Sequence, residues 1–384
     1  MSNYRKYFSN FLKKNEGIGH FACHSHHYWP DCTKDAQLDY WEDSCDLVDN
    51  KWEKIFSKKV PNVQKLLSEV LDFDRPSDIA FAPNTHELVY RILSSYQKKI
   101  SLLTTDSEFY SFSRQLKRLV ELDMIEVKIV PTFPFHNFEE RFLDESKNNY
   151  DIIFLSQVFF NSGLCLENFE QYILTLLTTN SQIIVDGYHG FMAVPTNLSK
   201  IGDKIFYLAG SYKYAGAGEG CCFTTIPKDC SFTPRNTGWF ADLENLDNLE
   251  LEKVSYPDNG LRFAGSTMDF SALYRLESVL ELYKKESVTV SNIHDHVIEC
   301  QNRFIESMKK EDHSLLNSKN LILRNINCHG HFLTFDLPDS ETVIALKKKL
   351  ESKGVETDSR KNRLRFGFSI YTDLNYEFSK IFKD

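Results

Sequence analysis

Apolar and polar positions follow two different rhythms along this chain. Residues 33–72 repeat apolar side chains at helical spacing, with an interruption at Pro61. Beyond them, short apolar runs of strand length (DIAFAP, DIIFLSQVFF, SQIIVDGYHG and KIFYLAGSYKY) alternate with helical stretches such as THELVYRILSSYQ and ENFEQYILTLL. This alternation predicts an α/β fold, in which helices wrap a mostly parallel sheet.

The pattern changes after residue 275. A long helical segment continues to Met308, and then come the strand-like stretches NLILRNI and GHFLTFDL, a helix capped by Ser340 and closed by Gly354, and a last strand, RLRFGFSIY. These elements predict a smaller α+β domain. Because chains usually divide into domains beyond about 250–300 residues, we expect a large domain at 51–275 and a small C-terminal domain at 276–384. The segment 1–50 should contribute to the functional site and to the small domain.

Composition narrows the class of protein. The formal net charge is −9 and no run of basic residues is long, so nucleic acids and anionic membranes are poor partners. The first residues lack the apolar core of a secretion signal, and no apolar stretch has the length of a membrane span. Nine cysteines, an odd number, suit a reducing compartment better than a disulfide framework. We therefore expect a cytoplasmic protein that acts on small molecules.

Polar side chains follow the first predicted strand, at the edge where an open α/β sheet binds its ligand. Asn84 can cap the helix that begins there, and Glu87 can reach back to the cap. The free amides of that helix, from Thr85 onward, could hold a phosphate at the positive helix end. On these residues alone, a plain capping box is the simpler explanation and is preferred.

Two further strand ends carry groups of opposite charge. Asp186 follows the run QIIV, and Lys213 follows IFYLAG, ahead of the glycine-rich stretch AGAGEG. The two side chains could form a structural ion pair, but buried Asp and Lys are costly unless they are paired or functional. A lysine that can form a Schiff base, together with a carboxylate that stays ionised against a pyridinium nitrogen, is what pyridoxal phosphate requires. The pair therefore raises the expectation of a cofactor site.

Six segments strengthen that expectation. They are SEFYSF, VDGYHGFMAVP, SYKYAGAGEG, NTGWF, RFAGSTMDFSALYRLE and DSRKNRLRFGFSIY. In this order they resemble the class V aminotransferase family of fold-type I pyridoxal-phosphate enzymes, within which kynureninases are the most similar. The resemblance covers nearly the whole chain. It implies the fold-type I transferase fold, pyridoxal 5′-phosphate as cofactor, and a homodimer with shared active sites.

The resemblance also implies roles for individual residues. Lys213 is at the Schiff-base position, Tyr212 precedes it, and Asp186 is placed at the pyridine nitrogen, so these three are the expected catalytic residues. Arg365 is where the family binds the α-carboxylate of the substrate, a bidentate task that suits arginine. The resemblance further implies cofactor contacts from the ring-stacking Phe109, His189, Trp239 and Thr267, the last across the dimer interface. Asn84 and Thr85 are expected cofactor contacts because of the helix end described above.

The chain departs from kynureninases at two places. They have an aspartate three residues after the stacking Phe, where this chain has Phe112, and their H-V-N-Y-R-T-G motif becomes the segment 157–163, QVFFNSG, which includes Phe159. Two polar groups near the ring have thus become apolar, which predicts a change in proton handling or ring recognition. Cysteine desulfurase chemistry is also disfavoured, because no cysteine lies between Cys328 and Arg365 to act as the mobile nucleophile of that branch.

The N-terminal stretch HFACHSHHYWPDC is dense in histidine and cysteine. The resemblance places it on the substrate side of the active site, so we expect His24, His26 and His27 to form a polar wall that binds substrate. A zinc site is the alternative, since His20 and His24 have helical spacing, but no second pair of ligands follows. Plain packing is a third possibility. We assign no metal ligand.

These observations lead to one favoured function and one alternative. The favoured function is a pyridoxal-phosphate enzyme that acts on a small amino acid, either by kynureninase-like hydrolytic cleavage of a side-chain carbon–carbon bond or by transamination, β-elimination or epimerisation. The alternative is a cofactor-binding protein without catalytic activity that serves as a regulator or scaffold. The presence of Lys213, Asp186 and Arg365 together favours the enzyme.

Overall fold

The computed structural model describes residues 4–246, 253–323 and 329–383. The strands are β1 (Gly19–Phe21), β2 (Ile79–Ala82), β3 (Ile100–Thr105), β4 (Ile125–Val130), β5 (Ile152–Ser156), β6 (Gln182–Asp186), β7 (Ile205–Gly210), β8 (Cys222–Thr225), β9 (Phe332–Asp336), β10 (Val355–Arg360) and β11 (Arg363–Gly367). The α-helices are α1 (Ser9–Lys14), α2 (Cys32–Leu47), α3 (Lys51–Lys54), α4 (Val60–Leu71), α5 (Thr85–Ser94), α6 (Tyr110–Glu121), α7 (Phe138–Ser146), α8 (Phe169–Leu176), α9 (Ser271–Lys285), α10 (Val290–Glu311), α11 (Ser340–Ser352) and α12 (Ser379–Phe382). Within these ranges, every helix is too short or too polar to cross a membrane.

The large sheet has seven strands in the order β2-β8-β7-β6-β5-β3-β4. Neighbours from β7 through β6, β5 and β3 to β4 run parallel, whereas β8 is antiparallel to both β7 and β2. Strands such as β5 and β7 are buried along their whole length, as expected when helices cover both faces of a parallel sheet. The predicted α/β architecture, with a mostly parallel sheet wrapped by helices, is confirmed.

The second sheet has four strands in the order β1-β10-β11-β9. Strand β1 from the N-terminal segment pairs in parallel with β10, so that Gly19 lies opposite Val355. Strands β10, β11 and β9 form antiparallel pairs. The N-terminal segment is therefore part of the smaller sheet; the domain boundaries at residues 50 and 275 remain our proposal.

Three local predictions need correction. Helix α4 continues through Pro61, which lies in its first turn, where a missing N–H costs little; the chain is instead irregular before it, in the π-helical turn Ile55–Lys59. Helix α11 is capped by Asp339, whose side chain accepts the N–H of Thr342 at 2.7 Å, and not by Ser340. The stretch NLILRNI contributes an isolated bridge between Leu321 and Phe335, and its last residues lie outside the described ranges.

Candidate active site

Lys213 lies in the loop that follows the buried strand β7. The loop closes on itself: the Ser211 hydroxyl donates to the carbonyl oxygen of Gly218, and the amide of Ala217 donates to the carbonyl oxygen of Ser211. Gly218 has a φ of +72°, and a Cβ there would meet the ring of Trp29 at 2.4 Å, so the tight turn requires glycine. The result is that Lys213 is directed toward the N-terminal segment and the end of β6.

The amine of Lys213 has two close neighbours. Its Nζ donates to the backbone carbonyl of His24 at 3.0 Å and lies 2.8 Å from Nε2 of His189. Burial and, to a lesser extent, the positive charge of Arg365 lower the pKa of this amine to about 7, against the opposing effect of Asp186. A lysine of this kind is partly neutral at neutral pH and can act as a nucleophile or a base.

Asp186 ends strand β6, beside the strand that leads to Lys213. Its Oδ1 accepts the backbone N–H of Tyr188 at 2.9 Å. Burial raises the pKa of the carboxyl group, while the Tyr188 N–H and the nearby Lys213 act in the opposite direction. A positively charged group opposite this carboxylate would stabilise its ionised form.

His189 shares the Lys213 pocket. Its ring is buried, tilts against Phe332 at 5.7 Å between centroids, and is held neutral because burial lowers its pKa well below the usual value, with Lys213 adding to the effect. The neighbouring Tyr212 ring is half-buried and makes an edge contact with His26 at 6.0 Å. The structure thus brings together the predicted residues Lys213, Asp186, His189 and Tyr212.

The predicted stacking and phosphate residues are more exposed. Phe109 precedes helix α6 with its ring edge-to-face against Phe160 at 5.6 Å, and it remains open to solvent. Asn84 caps helix α5 by accepting the N–H of Glu87 at 2.9 Å, so the capping role is present. Glu87 lies 3.4 Å from the Asn84 amide nitrogen and forms an ion pair with Arg91. Thr85 begins the ten-residue helix, and its backbone is hydrogen-bonded to the Cys222 thiol.

Trp239 and Thr267 are joined to each other. The indole Nε1 of Trp239 donates to Oγ1 of Thr267 at 3.0 Å near the surface, and the indole ring meets Trp52 edge-on. The contacts described for these two residues do not include Lys213 or Asp186. Thr267 is exposed, and its service to a neighbouring protomer remains our prediction.

Arg365 lies on β11, directly opposite Asp358 on β10. Its guanidinium is buried, with Nη2 paired to Asp358 and Nη1 donating to the carbonyl oxygen of Phe160. Nε2 of His24 lies 3.4 Å from the same Asp358 carboxylate oxygen. Because Lys213 also contacts the His24 backbone, the lysine and the arginine are linked through His24 and Asp358. The sequence interpretation missed Asp358; it lies in the quoted segment DSRKNRLR, and only the hairpin register pairs it with Arg365.

The three predicted wall histidines occupy different environments. His24 is buried with its ring stacked on Phe332 at 4.6 Å, and burial lowers its pKa to about 3. His26 is exposed beside Tyr212. His27 is buried, with Nδ1 2.6 Å from the carbonyl oxygen of Tyr28 and Nε2 2.7 Å from the hydroxyl of Ser369. Both nitrogens of His27 are thus engaged within the chain, which corrects the expectation that this ring faces the substrate.

Phe112 and Phe159 also need correction. The ring of Phe112 stacks on Phe154 at 3.7 Å with an interplanar angle of 11°, and the ring of Phe159 meets Phe138 edge-on at 5.4 Å. Both side chains are buried in hydrophobic clusters. These two positions therefore stabilise the core instead of lining a substrate pocket.

Glu108 is a buried acid that the sequence interpretation did not single out. Its carboxyl group accepts hydrogen bonds from the hydroxyl groups of Thr105 at 2.7 Å and Ser156 at 2.5 Å. Burial raises its pKa to about 8, with Asp186 contributing to the same direction. Ser156 pairs with Asp186 in the sheet register, so the Glu108 carboxyl group lies one residue away from the strand end that carries the Asp186 carboxyl group. Glu108 comes directly before the predicted stacking residue Phe109 in the sequence, and that position could have identified it as a site residue.

The residues around Lys213 suit pyridoxal phosphate and not a metal ion. A buried amine of lowered pKa, a buried carboxylate at the neighbouring strand end and a neutral imidazole match the aldehyde, ring nitrogen and ring of that cofactor. Within 4–246, 253–323 and 329–383, no group of three or more His, Cys, Asp or Glu side chains has the arrangement of a metal site. When bound, the cofactor supplies an electron sink for a carbanion at the substrate Cα.

Fold and site together define a fold-type I enzyme whose cofactor is pyridoxal 5′-phosphate. The family model described as aminotransferase class-V matches residues 30–357. The chain therefore belongs to the class V aminotransferase family.

Solved structures share this fold at low sequence identity. An apo cysteine desulfurase from Thermococcus onnurineus NA1 gives a TM-score of 0.80 at 14% identity, covering 99% of this chain and 96% of that chain. The cystine C–S lyase C-DES, in complex with its product cysteine persulfide, gives 0.79 at 16% identity, covering 97% and 100%. The cysteine desulfurase CsdA from Escherichia coli gives 0.77 at 12% identity, covering 98% and 95%. No curated protein sequence matches the chain.

Proposed function

We propose that this enzyme binds a small α-amino acid through its carboxylate at Arg365 and removes the Cα proton with Lys213. The observation that carries the proposal is the environment of the Lys213 amine, which burial keeps partly neutral between the His24 carbonyl and His189. A neutral amine accepts a proton, whereas an ordinary lysine at neutral pH is already protonated.

The other residues support this single proton transfer. Asp186 would hold a proton on the pyridine nitrogen and so keep the electron sink effective. His189 is a neutral imidazole within hydrogen-bond distance of the Lys213 amine, so it can receive a proton from that amine or return one. Arg365 would fix the substrate so that its Cα–H bond points toward the lysine.

Among the reactions that follow Cα proton removal, we place β-elimination first. In that reaction the bond between Cβ and a leaving group breaks, and hydrolysis of the resulting aminoacrylate consumes one water molecule, so that the products are pyruvate, ammonia and the protonated leaving group. Kynureninase-like hydrolysis is the second candidate. We rank it lower because Phe112 and Phe159, which replace polar kynureninase residues, contribute their rings to the core. Transamination and epimerisation are further outcomes of the same first step.

Desulfuration through an enzyme cysteine is disfavoured. Strands β10 and β11 are joined by a two-residue turn, Lys361 and Asn362, since Arg360 pairs with Arg363. Neither turn residue is a cysteine, and none occurs between Cys328 and Arg365. A sulfur-containing substrate would therefore release its sulfur as a free leaving group rather than transfer it to a cysteine in this hairpin.

A product screen tests the proposal. The purified holoprotein is incubated separately with β-chloro-L-alanine, L-cystine and L-kynurenine, and pyruvate, alanine and anthranilate are measured. Cystine is included because a protein of similar fold is a cystine C–S lyase. We expect pyruvate from β-chloro-L-alanine and none from the Lys213→Ala variant. Alanine with anthranilate from kynurenine would instead support hydrolysis, and no absorbance change with any amino acid would support the inactive regulator or scaffold.

A further inference from the structure

The Arg365 guanidinium is almost fully engaged within the chain. Nη1 donates to the carbonyl oxygen of Phe160 and Nη2 is paired to Asp358, whereas the buried Nε has no hydrogen-bond partner among the described residues. A carboxylate bound in bidentate fashion needs two adjacent N–H groups. An incoming α-carboxylate can therefore use Nε only together with the Nη2 that Asp358 now occupies.

We propose that Asp358 is a specificity-determining residue that occupies Arg365 in the absence of substrate and exchanges with the substrate α-carboxylate. The inference rests on the proposed function, because it takes Arg365 as the carboxylate site. In the exchange, the ion pair between Asp358 and Nη2 breaks and two new N–H···O bonds form from Nε and Nη2 to the substrate. No covalent bond changes.

The burial of the two partners indicates which one moves. The Arg365 side chain is 3% exposed and the Asp358 side chain 19%. The guanidinium is fixed on its other side by the Phe160 carbonyl and lies over the Phe332 ring at 5.9 Å. The Asp358 carboxylate contacts Arg365 and His24 and also accepts the backbone N–H of the adjacent Ser359, so its lower burial is what favours its movement. A displaced Asp358 would therefore rotate while Arg365 stays in place.

His24 gives the displaced carboxylate a second partner. Its Nε2 lies 3.4 Å from Oδ2 of Asp358, and its ring is held by stacking on Phe332. Neither ring nitrogen of His24 has a geometrically good hydrogen bond, although both are buried. Buried nitrogens without a partner are unfavourable. A small rotation that moves Asp358 from Arg365 toward His24 would satisfy Nε2 at the moment when the substrate takes over Arg365.

The charge balance explains why the exchange affects selectivity. Asp358 neutralises the positive charge of Arg365, and the neighbouring histidines, His24 and His189, are neutral because burial lowers their pKa values. A carboxylate ligand must therefore compete with a resident one of equal charge. Carboxylates that make no further contact in the site should therefore bind weakly. A substrate that also reacts at Lys213 gains enough binding free energy to complete the exchange.

Substitution of Asp358 should change the affinity for a carboxylate in opposite directions in two cases. Affinity rises if Asp358 exchanges with the ligand, and it falls if Asp358 only braces Arg365, that is, holds its side chain in place. We would titrate the holoprotein with propionate and with L-alanine and follow binding by isothermal titration calorimetry and cofactor absorbance. Asp358→Asn removes the competing charge, so we expect its propionate dissociation constant to fall about tenfold. If Asp358 only braces Arg365, the same variant should bind propionate more weakly, and that result overturns the exchange. Asp336→Asn, which alters an exposed carboxylate near Arg363 in the same sheet, is the matched control.

Two further arms separate failure of the exchange from failure of the proposed function. If Arg365→Gln leaves the affinity for propionate and L-alanine unchanged, Arg365 is not the carboxylate site and both proposals fail. If Arg365→Gln weakens binding and Asp358→Asn weakens it too, only the exchange fails. Should Asp358→Asn not fold, a crystal structure of the unaltered protein with propionate decides the matter: propionate on Arg365 with Asp358 turned to His24 supports the exchange, and an intact Asp358–Arg365 pair overturns it.

Discussion

The Lys213 amine donates a hydrogen bond to the backbone carbonyl of His24, a residue 189 positions away in the sequence. The bond joins the loop after β7 to the N-terminal segment, whose strand β1 belongs to the smaller sheet. The environment of the lysine therefore depends on both sheets. Because a backbone oxygen accepts the bond, substitution of the His24 side chain should leave this contact in place. It should instead change the surroundings of the Asp358 carboxylate, which lies beside the His24 ring.

The first prediction concerns attachment of the cofactor at Lys213. Only the neutral amine forms the covalent bond, and burial lowers the pKa of this amine to about 7. The rate of attachment to the apoprotein should therefore rise with pH up to about 7 and level off above it. Borohydride trapping at a series of pH values, followed by peptide mass spectrometry, measures this. A rate that still rises toward pH 10, or an adduct on another lysine, would contradict the assignment; Lys213→Ala should give no adduct.

The second prediction separates His26 from His27. His26 is exposed beside Tyr212, so His26→Ala should change KM or kcat while the free energy of unfolding stays within about 0.5 kcal/mol. His27→Ala removes a buried ring with partners at both nitrogens, and we expect a loss of about 1–3 kcal/mol. Urea unfolding and steady-state kinetics on both variants measure the difference. Equal stability losses would show that the two rings share one environment.

The pH dependence of stability gives an independent check on His27. Burial lowers its pKa in the folded state to about 3, whereas an unfolded histidine titrates near about 6.5. Below that value the unfolded state takes up a proton that the folded state does not, so His27 contributes a loss of stability as the pH falls from about 6.5 toward 3. The His27→Ala variant should lack this contribution and lose less stability between pH 7 and pH 5.

The third prediction concerns the buried acid Glu108. Its pKa is raised to about 8, so its stabilising contribution is fully present below the unfolded value of about 4.3 and is lost as the pH rises toward 8. Glu108→Gln resembles the neutral acid and cannot ionise. We expect the variant to gain about 3 kcal/mol relative to the unaltered protein between pH 5 and pH 8, because the folded state holds about one proton more than the unfolded state over most of this range. Thermal unfolding at both pH values measures this, and a constant difference would show that Glu108 does not titrate there.

The sequence predicts where the strands end, but it does not predict the environments of individual side chains. The buried runs of β6 and β7 are continuous in the sequence, and parallel strands carry their ends to one edge, which is why Asp186 and Lys213 could be predicted together. The pairing of Asp358 with Arg365 depends on a two-residue hairpin turn that sets the register. The burial of His27 depends on Ser369, 342 residues away. A pattern in a short stretch of sequence cannot predict contacts between residues so far apart in the chain.

Phe112 illustrates the same limit for a motif. Its position in the sequence, three residues after Phe109, suggested a place near the ring. Phe109 is the residue before helix α6 and is exposed, whereas Phe112 lies in the first turn of the helix and stacks on Phe154 of strand β5. Phe109 has an extended backbone, with a ψ of 143°, so the helical spacing that places positions three apart on one face does not apply between it and Phe112.

The last structural expectation is the homodimer, and helix α2 offers a surface for it. Leu38, Trp41 and Cys45 follow at spacings of three and four residues on this helix, so they lie on one face, and all three are exposed. Trp41 is 66% exposed, although a side chain of this size usually gains free energy by burial. We therefore expect this face to contact a second copy of the chain.

Trp41→Asp tests the dimer. An exposed substitution on a monomer should change stability by no more than about 0.5 kcal/mol, whereas a charge in the centre of a hydrophobic interface should shift the protein to monomers in sedimentation velocity. Ile344→Asp, which changes an apolar side chain exposed by 52% on helix α11, should leave the sedimentation coefficient unchanged. If sites are shared through Thr267, monomeric Trp41→Asp should also lose cofactor affinity. A monomer that retains the cofactor as tightly as the unaltered protein would refute the shared site.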